Sequence, residues 1–206
     1  MLSGRVYGRE MGVEEVMAVV RRDAAYYRAS GGGLTISGGE PTFQADFCVA
    51  LLRAAKVEGL HTCLDTSGCF SSAVRERVRP WTDLFLFDWK STGAELLREL
   101  TGVSDAPIRE NLERLLEAGA AVWLRCPLVP TLNDQQEHLR AIAEFSRRFP
   151  GIERVDIRPY HRSGAGKWRD LGMEPISDAI AEPDEASRDS WAARLKAAGA
   201  RGVCRD

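Results

Sequence analysis

The stretch GGGLTISGGEP, Gly31 to Pro41, decides how the chain is read. Five of its eleven residues are glycine, and they bracket one short apolar run. Glycine in such numbers costs conformational entropy on folding, so a strand enclosed by it signals a close approach to the backbone. Leu34 to Ser37 reads as that strand, with Ser37-Gly38-Gly39-Glu40 as its polar exit.

Outward from this strand, helix and strand signals alternate. Val13 to Ala29 has apolar residues at helical spacing, acids early and bases late, as the helix dipole favours. Phe43 to Val57 reads as a helix stopped by Gly59, 61–66 as a strand, and Ser71 to Val78 as a weak helix. A strand is expected over 83–90, helices over Ala94–Leu100 and Ile108–Ala118, and an apolar strand over 121–129. Asp134 to Arg148 is amphipathic, with Asn133 as its expected N-cap, and Arg154 to Arg158 is a strand closed by Pro159. The Gly-, Pro- and charge-rich stretch 163–183 reads as a long loop, and 184–206 as a last helix and a short VCR strand. Such alternation implies an α/β fold, a parallel sheet with helices outside it, as one domain over 1–206. Periodicity leaves open whether the sheet closes. The series starts on a helix where a βα repeat would start on a strand, so the first strand is expected to be missing.

With 206 residues, 44% hydrophobic, 28% charged and a formal charge of -2, the composition is ordinary for a globular protein. It lacks the strongly basic footprint of a general nucleic-acid binder. No apolar run approaches the roughly 18 residues of a membrane span, and MLSGRVYGREMG has no signal-peptide core. Neither nucleic acid nor membrane is expected as a partner, and the expected location is cytoplasmic. Five cysteines (Cys48, Cys63, Cys69, Cys126 and Cys204) are scattered, and no CxxC or CxxxCxxC spacing occurs. In a reducing compartment such cysteines read as free thiols.

In parallel α/β folds ligands bind at the carboxyl ends of the strands. The first strand delivers Gly38, Gly39 and Glu40 there, the second Asp65, and the third Asp88 and Lys90 on one face. The fourth carries Arg125, and the fifth ends in Arg158-Pro159-Tyr160-His161. Each has an ordinary reading too: a glycine turn, a helix cap at Asp65, a strand-end ion pair of Asp88 with Lys90, a structural histidine. Together they offer carboxylates, ammonium and guanidinium beside bare backbone, which suits a zwitterionic ligand such as an amino acid.

From about Gly8 to Gly172 the sequence resembles the activating enzymes of glycyl radical enzymes, the pyruvate formate-lyase activase among them, in the radical S-adenosylmethionine (SAM) superfamily. The resemblance lies in GGGLTISGGEP (31–41), GLHTCLDTSG (59–68), LFLFDWK (84–90), VWLRCPLVP (122–130) and IRPYH (157–161), in the family's order and spacing. It implies a partial (β/α)6 barrel. It also implies that Gly39 lies along the methionine moiety of SAM, with Gly38 and Glu40 forming the turn. Asp88, Trp89 and Lys90 match the segment that holds the methionine carboxylate and sulfonium region. Arg125 and His161 match residues near the same cofactor, and Asp65 and Asp88 resemble carboxylates beside a monovalent cation. Family members reductively cleave SAM, and the resulting radical takes hydrogen from a glycine of a glycyl radical enzyme. An electron donor such as flavodoxin or ferredoxin is implied as a further partner.

One departure stands out. The family's CxxxCxxC, whose thiolates ligate a 4Fe–4S cluster, is absent here. In relatives it lies upstream of the helix matching VEEVMAVV, together with the opening strand. The expectation is therefore an N-terminally truncated activating enzyme unable to carry its own cluster. The alternative is a non-catalytic SAM-binding or partner-docking module.

Overall fold

In the computed structural model the chain is described over residues 9–92, 98, 102, 104–164 and 180–205. Six strands form one sheet: β1 (Gly33–Ile36), β2 (His61–Thr66), β3 (Leu84–Asp88), β4 (Ala121–Leu128), β5 (Ile152–Pro159) and β6 (Val203–Arg205). Every neighbouring pair is parallel, and the order across the sheet is the order in the chain. The helices are α1 (Val13–Val20), α2 (Ala24–Ser30), α3 (Ala45–Val57), α4 (Ser72–Val78), α5 (Asp105–Glu117), α6 (Gln136–Arg148) and α7 (Glu185–Ala197). A parallel pair needs a crossover, and a strand order that never reverses winds the sheet one way. That is the winding of a barrel and not of a doubly wound sheet, so the fold is the partial barrel that the motifs imply.

The two faces of the sheet differ. On β4, Val122, Leu124, Cys126 and Leu128 are fully buried, whereas Ala121, Trp123, Arg125 and Pro127 are only half-buried. The buried row packs with Phe85 and Phe87 of β3 under Leu112 and Leu115 of α5, Leu139 and Ile142 of α6, and Trp191 and Leu195 of α7. Each such side chain contributes about 2 kcal/mol by leaving water, so the helix-facing layer carries the stability. The half-buried row faces the concave side and carries the polar groups. A smaller cluster, Met17 and Val20 with Leu51, Ala55 and Leu60, seats α1 on α3.

Three expectations need correction. The stretch read as one helix over Val13–Ala29 is two, joined by a 3-10 turn at Arg21–Asp23. Periodicity could not show the break, because Val20, Ala24 and Tyr27 keep the helical spacing across it. Asn133 is not the cap of α6: Gln135 holds that position, and Asn133 is buried in the preceding turn. That turn puts Thr131 at φ 65°, rare for a β-branched residue, and its N–H donates to Asp134 Oδ1 at 2.9 Å. The third strand stops at Asp88, two residues early, so Lys90 follows it. The helix expected over Ala94–Leu100, Arg98 apart, and most of the 163–183 loop lie outside the described residues. Among the described residues no helix is long and apolar enough to cross a membrane.

Of the opening glycines, Gly33 has its reason inside the fold. A Cβ there would lie 1.8 Å from the backbone oxygen of His61 on β2. Replacing Gly33 by alanine is expected to force β1 and β2 apart and cost about 3 kcal/mol, read as a lower urea midpoint. A Gly39→Ala control should shift that midpoint little, since a Cβ there meets nothing within 4 Å.

Candidate functional site

After β1 the chain turns through Ser37 to Glu40, with Gly38 at φ 130°, a conformation natural to glycine. A Cβ on Gly38 or Gly39 would enter open space. That space is a cavity of about 420 Å³ over the carboxyl ends of the strands, lined by Gly38, Gly39, Asp65, Asp88, Lys90 and Arg125 among others. The glycine-rich stretch thus has two explanations: the β2 backbone at Gly33, and the hollow at Gly39.

Glu40 lines the hollow, but the chain itself occupies its carboxylate. Oε1 accepts from the Thr42 amide (3.3 Å), Thr42 Oγ1 (2.7 Å) and Thr66 Oγ1 (2.8 Å). Oε2 accepts from the Ser67 amide (2.8 Å) and Ser67 Oγ (2.7 Å). Burial acts to raise its pKa, yet the hydrogen bonds from Thr42, Ser67 and Thr66 outweigh it and hold the carboxyl below its ordinary value. Glu40 is a staple between the β1 exit and the β2 exit.

The other carboxylates form a ladder with cations. Asp65 accepts from Ser37 Oγ at 3.0 Å and meets Arg125 Nη1 at 2.7 Å. Arg125 Nε stands 3.6 Å from Asp88 Oδ1, and Lys90 Nζ donates to Asp88 Oδ2 at 3.1 Å. The sheet register sets this up, pairing Asp88 with Arg125 and Arg125 with Asp156. Burial alone would lower the Arg125 pKa, but the charges of Asp88, Asp65 and Asp156 raise it. Asp88 Oδ1 is buried and accepts no hydrogen bond.

The structure brings Gly38, Gly39, Glu40, Asp65, Asp88, Lys90 and Arg125 to one hollow. His161 lies next door. It is exposed and lines an adjoining cavity of about 440 Å³ that shares Asp88 and Arg125 and also reaches Arg158, Tyr160 and Arg188. Trp89 is a correction: its side chain points to the other face, buried in the helix-facing core. There its ring sits edge-on to Phe145 at 4.4 Å and its Nε1 donates to the Ser91 carbonyl. The pleat sets this up, since the residue after Asp88, the last of β3, turns to the opposite face. Sequence reading missed Asp156, two residues before Arg158 on the same face, and Arg188 of α7, which no local pattern marks.

The cysteines are spread through the fold. Cys48, Cys63 and Cys126 are buried, Cys69 is exposed and Cys204 half-buried. Burial pushes the Cys48 thiol up to about 11 and raises those of Cys63 and Cys126 as well. Among the described residues no three His, Cys, Asp or Glu side chains are placed to share a metal ion.

A one-way parallel sheet with a polar hollow at its strand exits defines the class of (β/α) partial barrels that bind small ligands at that end. The chain belongs to the radical SAM superfamily, whose model matches residues 3–144. It is homologous to activating enzymes of glycyl radical enzymes. It is 34% identical over 184 residues to the pyruvate formate-lyase-activating enzyme of Listeria monocytogenes, covering 86% of this chain and 74% of that protein. It is 37% identical over 171 residues to the isethionate sulfite-lyase activating enzyme of Desulfovibrio desulfuricans, covering 82% and 54%. The crystal structure of a domain of a pyruvate-formate lyase-activating enzyme from Bacteroides vulgatus shares the fold, with a TM-score of 0.70 at 24% identity over 85% of this chain and 99% of that one.

The Glu40 staple has a pH signature. A carboxyl whose pKa is depressed on folding adds stability above its unfolded value, and that stability is lost as pH falls through the folded value. The advantage of the native chain over Glu40→Gln should therefore be about 2 kcal/mol at pH 7. It should shrink below the ordinary pKa of 4.5, as measured by urea unfolding from pH 7 to pH 3.

Proposed function

We propose that this chain is the SAM-binding body of a glycyl radical enzyme activating enzyme, one domain over 1–206. The observation that carries the reading is the ladder Asp65–Arg125–Asp88–Lys90 beside the open space at Gly39, at the mouth of a barrel belonging to this superfamily. The donor set fits an amino-acid head group. Asp65 and Asp88 would face the ammonium or a monovalent cation beside it. Lys90 and Arg125 would face the carboxylate, and Gly39 leaves room for the methionine chain. His161 would contact the part of the ligand that reaches the adjoining cavity. Bound SAM supplies a sulfonium whose reductive cleavage gives a 5′-deoxyadenosyl radical. A glycyl radical enzyme would be the partner that receives it, and flavodoxin or ferredoxin the electron source.

The 4Fe–4S cluster does not fit the described residues. Its ligands must be thiolates at suitable spacing, whereas three of the five thiols are buried and held protonated. This chain's own residues therefore bind and orient, and no electron transfer is assigned to them. That misfit favours a second reading for the polypeptide as given, a SAM-binding or partner-docking module.

Calorimetry tests the binding. The 206-residue polypeptide should take up one SAM, and Lys90→Ala should weaken binding about tenfold by losing a charge-assisted hydrogen bond. Absence of heat with the native chain would remove the reading. Anaerobic reconstitution with iron and sulfide tests the chemistry. Binding without 5′-deoxyadenosine is expected and favours the second reading, whereas turnover would show that these cysteines do assemble a cluster.

A further inference from the structure

Two buried carboxamides, Asn111 and Asn133, touch the loops that carry the hollow, yet neither lines it. Asn111, on α5, is 3% exposed; its Nδ2 donates to the carbonyls of Gly68 (2.9 Å) and Phe70 (2.7 Å), and its Oδ1 accepts from Arg75 Nη1 (2.9 Å). Asn133 is 2% exposed; its Nδ2 donates to the carbonyls of Lys90 and Pro127, both at 2.7 Å, and its Oδ1 accepts from the Val129 amide at 2.7 Å. In each, both N–H groups and the oxygen are in use, which fixes the orientation of the amide.

The paths from these amides lead to the site. From Asn111 the chain of bonds runs through Gly68, whose amide donates to Thr66 Oγ1, and on through Thr66 and Ser67 to Glu40 and the Gly38–Gly39 turn. Gly68 is packed closely against the Phe87 ring, where an added Cβ would lie 2.0 Å from Cζ. From Asn133 the path is one residue long, since it holds the carbonyl of Lys90 itself and ties the end of β3 to the end of β4. Helix α5 and the turn before α6 thus clamp opposite rims of one hollow by the same device.

We infer that Asn111 and Asn133 are positioning residues for the ligand site, Asn111 setting the glycine rim through Glu40 and Asn133 setting Lys90. The inference rests on the SAM reading only for the identity of the ligand. The diagnostic change is Asn→Asp, which keeps the shape but turns an oxygen toward two carbonyl oxygens.

The test is a double-mutant cycle read by SAM calorimetry, with hydrogen exchange as a second measurement. Asn133→Asp should weaken SAM about tenfold in the native background and by less than about twofold in Lys90→Ala, because it acts through Lys90. Asn111→Asp should weaken SAM by a similar factor in both backgrounds. A Ser146→Ala control loses a buried hydroxyl that accepts from the Arg201 amide and bonds neither loop, and should leave SAM affinity unchanged. Equal effects of Asn133→Asp in both backgrounds, or losses matched by the control, would overturn the proposal.

If the native chain binds no SAM, the functional reading fails but the clamps are still decided by exchange, the Asn133 clamp by at least about tenfold faster exchange of the Val129 amide in Asn133→Asp. The Ser67 and Gly68 amides should exchange at least about tenfold faster in Asn111→Asp, with β5 unchanged. If the variants do not fold, the native chain answers: Ser67 and Gly68 should show the denaturant dependence of α5. Opening of that loop well before α5 would refute the Asn111 clamp.

Discussion

A single guanidinium makes the mouth of this barrel tenable. The strand exits gather two half-buried carboxylates, Asp65 and Asp88, around one cation, and burying like charges together without it would be costly. Arg125 stands between them, donated by the strand paired with β3 and facing Asp156 on the other side. Its own charge is costly to bury without partners, and the neighbouring carboxylates offset that cost and raise its pKa. The same balance leaves one oxygen of Asp88 without a hydrogen bond and the Lys90 side chain 38% exposed.

Glu40 shows the contrast within the same rim. It belongs to the most recognisable motif of the chain, yet five donors from the chain saturate it. A carboxylate with no spare lone pair is scaffolding, and its neighbour Gly39, with no side chain at all, is where the space opens. Residue type alone would assign the two roles the other way round.

The sequence carried the fold well because its signals were redundant. Alternation of βα units, glycine stops and strand-end charges agree, and they specified six parallel strands and the residues of the hollow. It failed where a residue's local and tertiary roles compete. Asn133 precedes a helix and has capping chemistry, but three backbone groups from two strand ends claim its amide instead. Trp89 sits between two site residues, and the pleat turns it into the core. His161 ends the right strand but reaches only the neighbouring cavity. Asn111 and Arg188 come from helices remote in sequence, and no spacing rule connects them with the strand exits.

The alternation on β4 separates two kinds of inheritance. Its helix-facing row of Val122, Leu124, Cys126 and Leu128 is locked into a jigsaw of neighbours, while Trp123, Arg125 and Pro127 look onto the concave side with room around them. Drift in the first row is policed by packing, whereas drift in the second answers to the charge balance of the rim and to what the barrel is asked to hold. Ligand preference in such a scaffold can wander one residue out of every two, provided the charges of the rim stay matched, without disturbing the packing behind it.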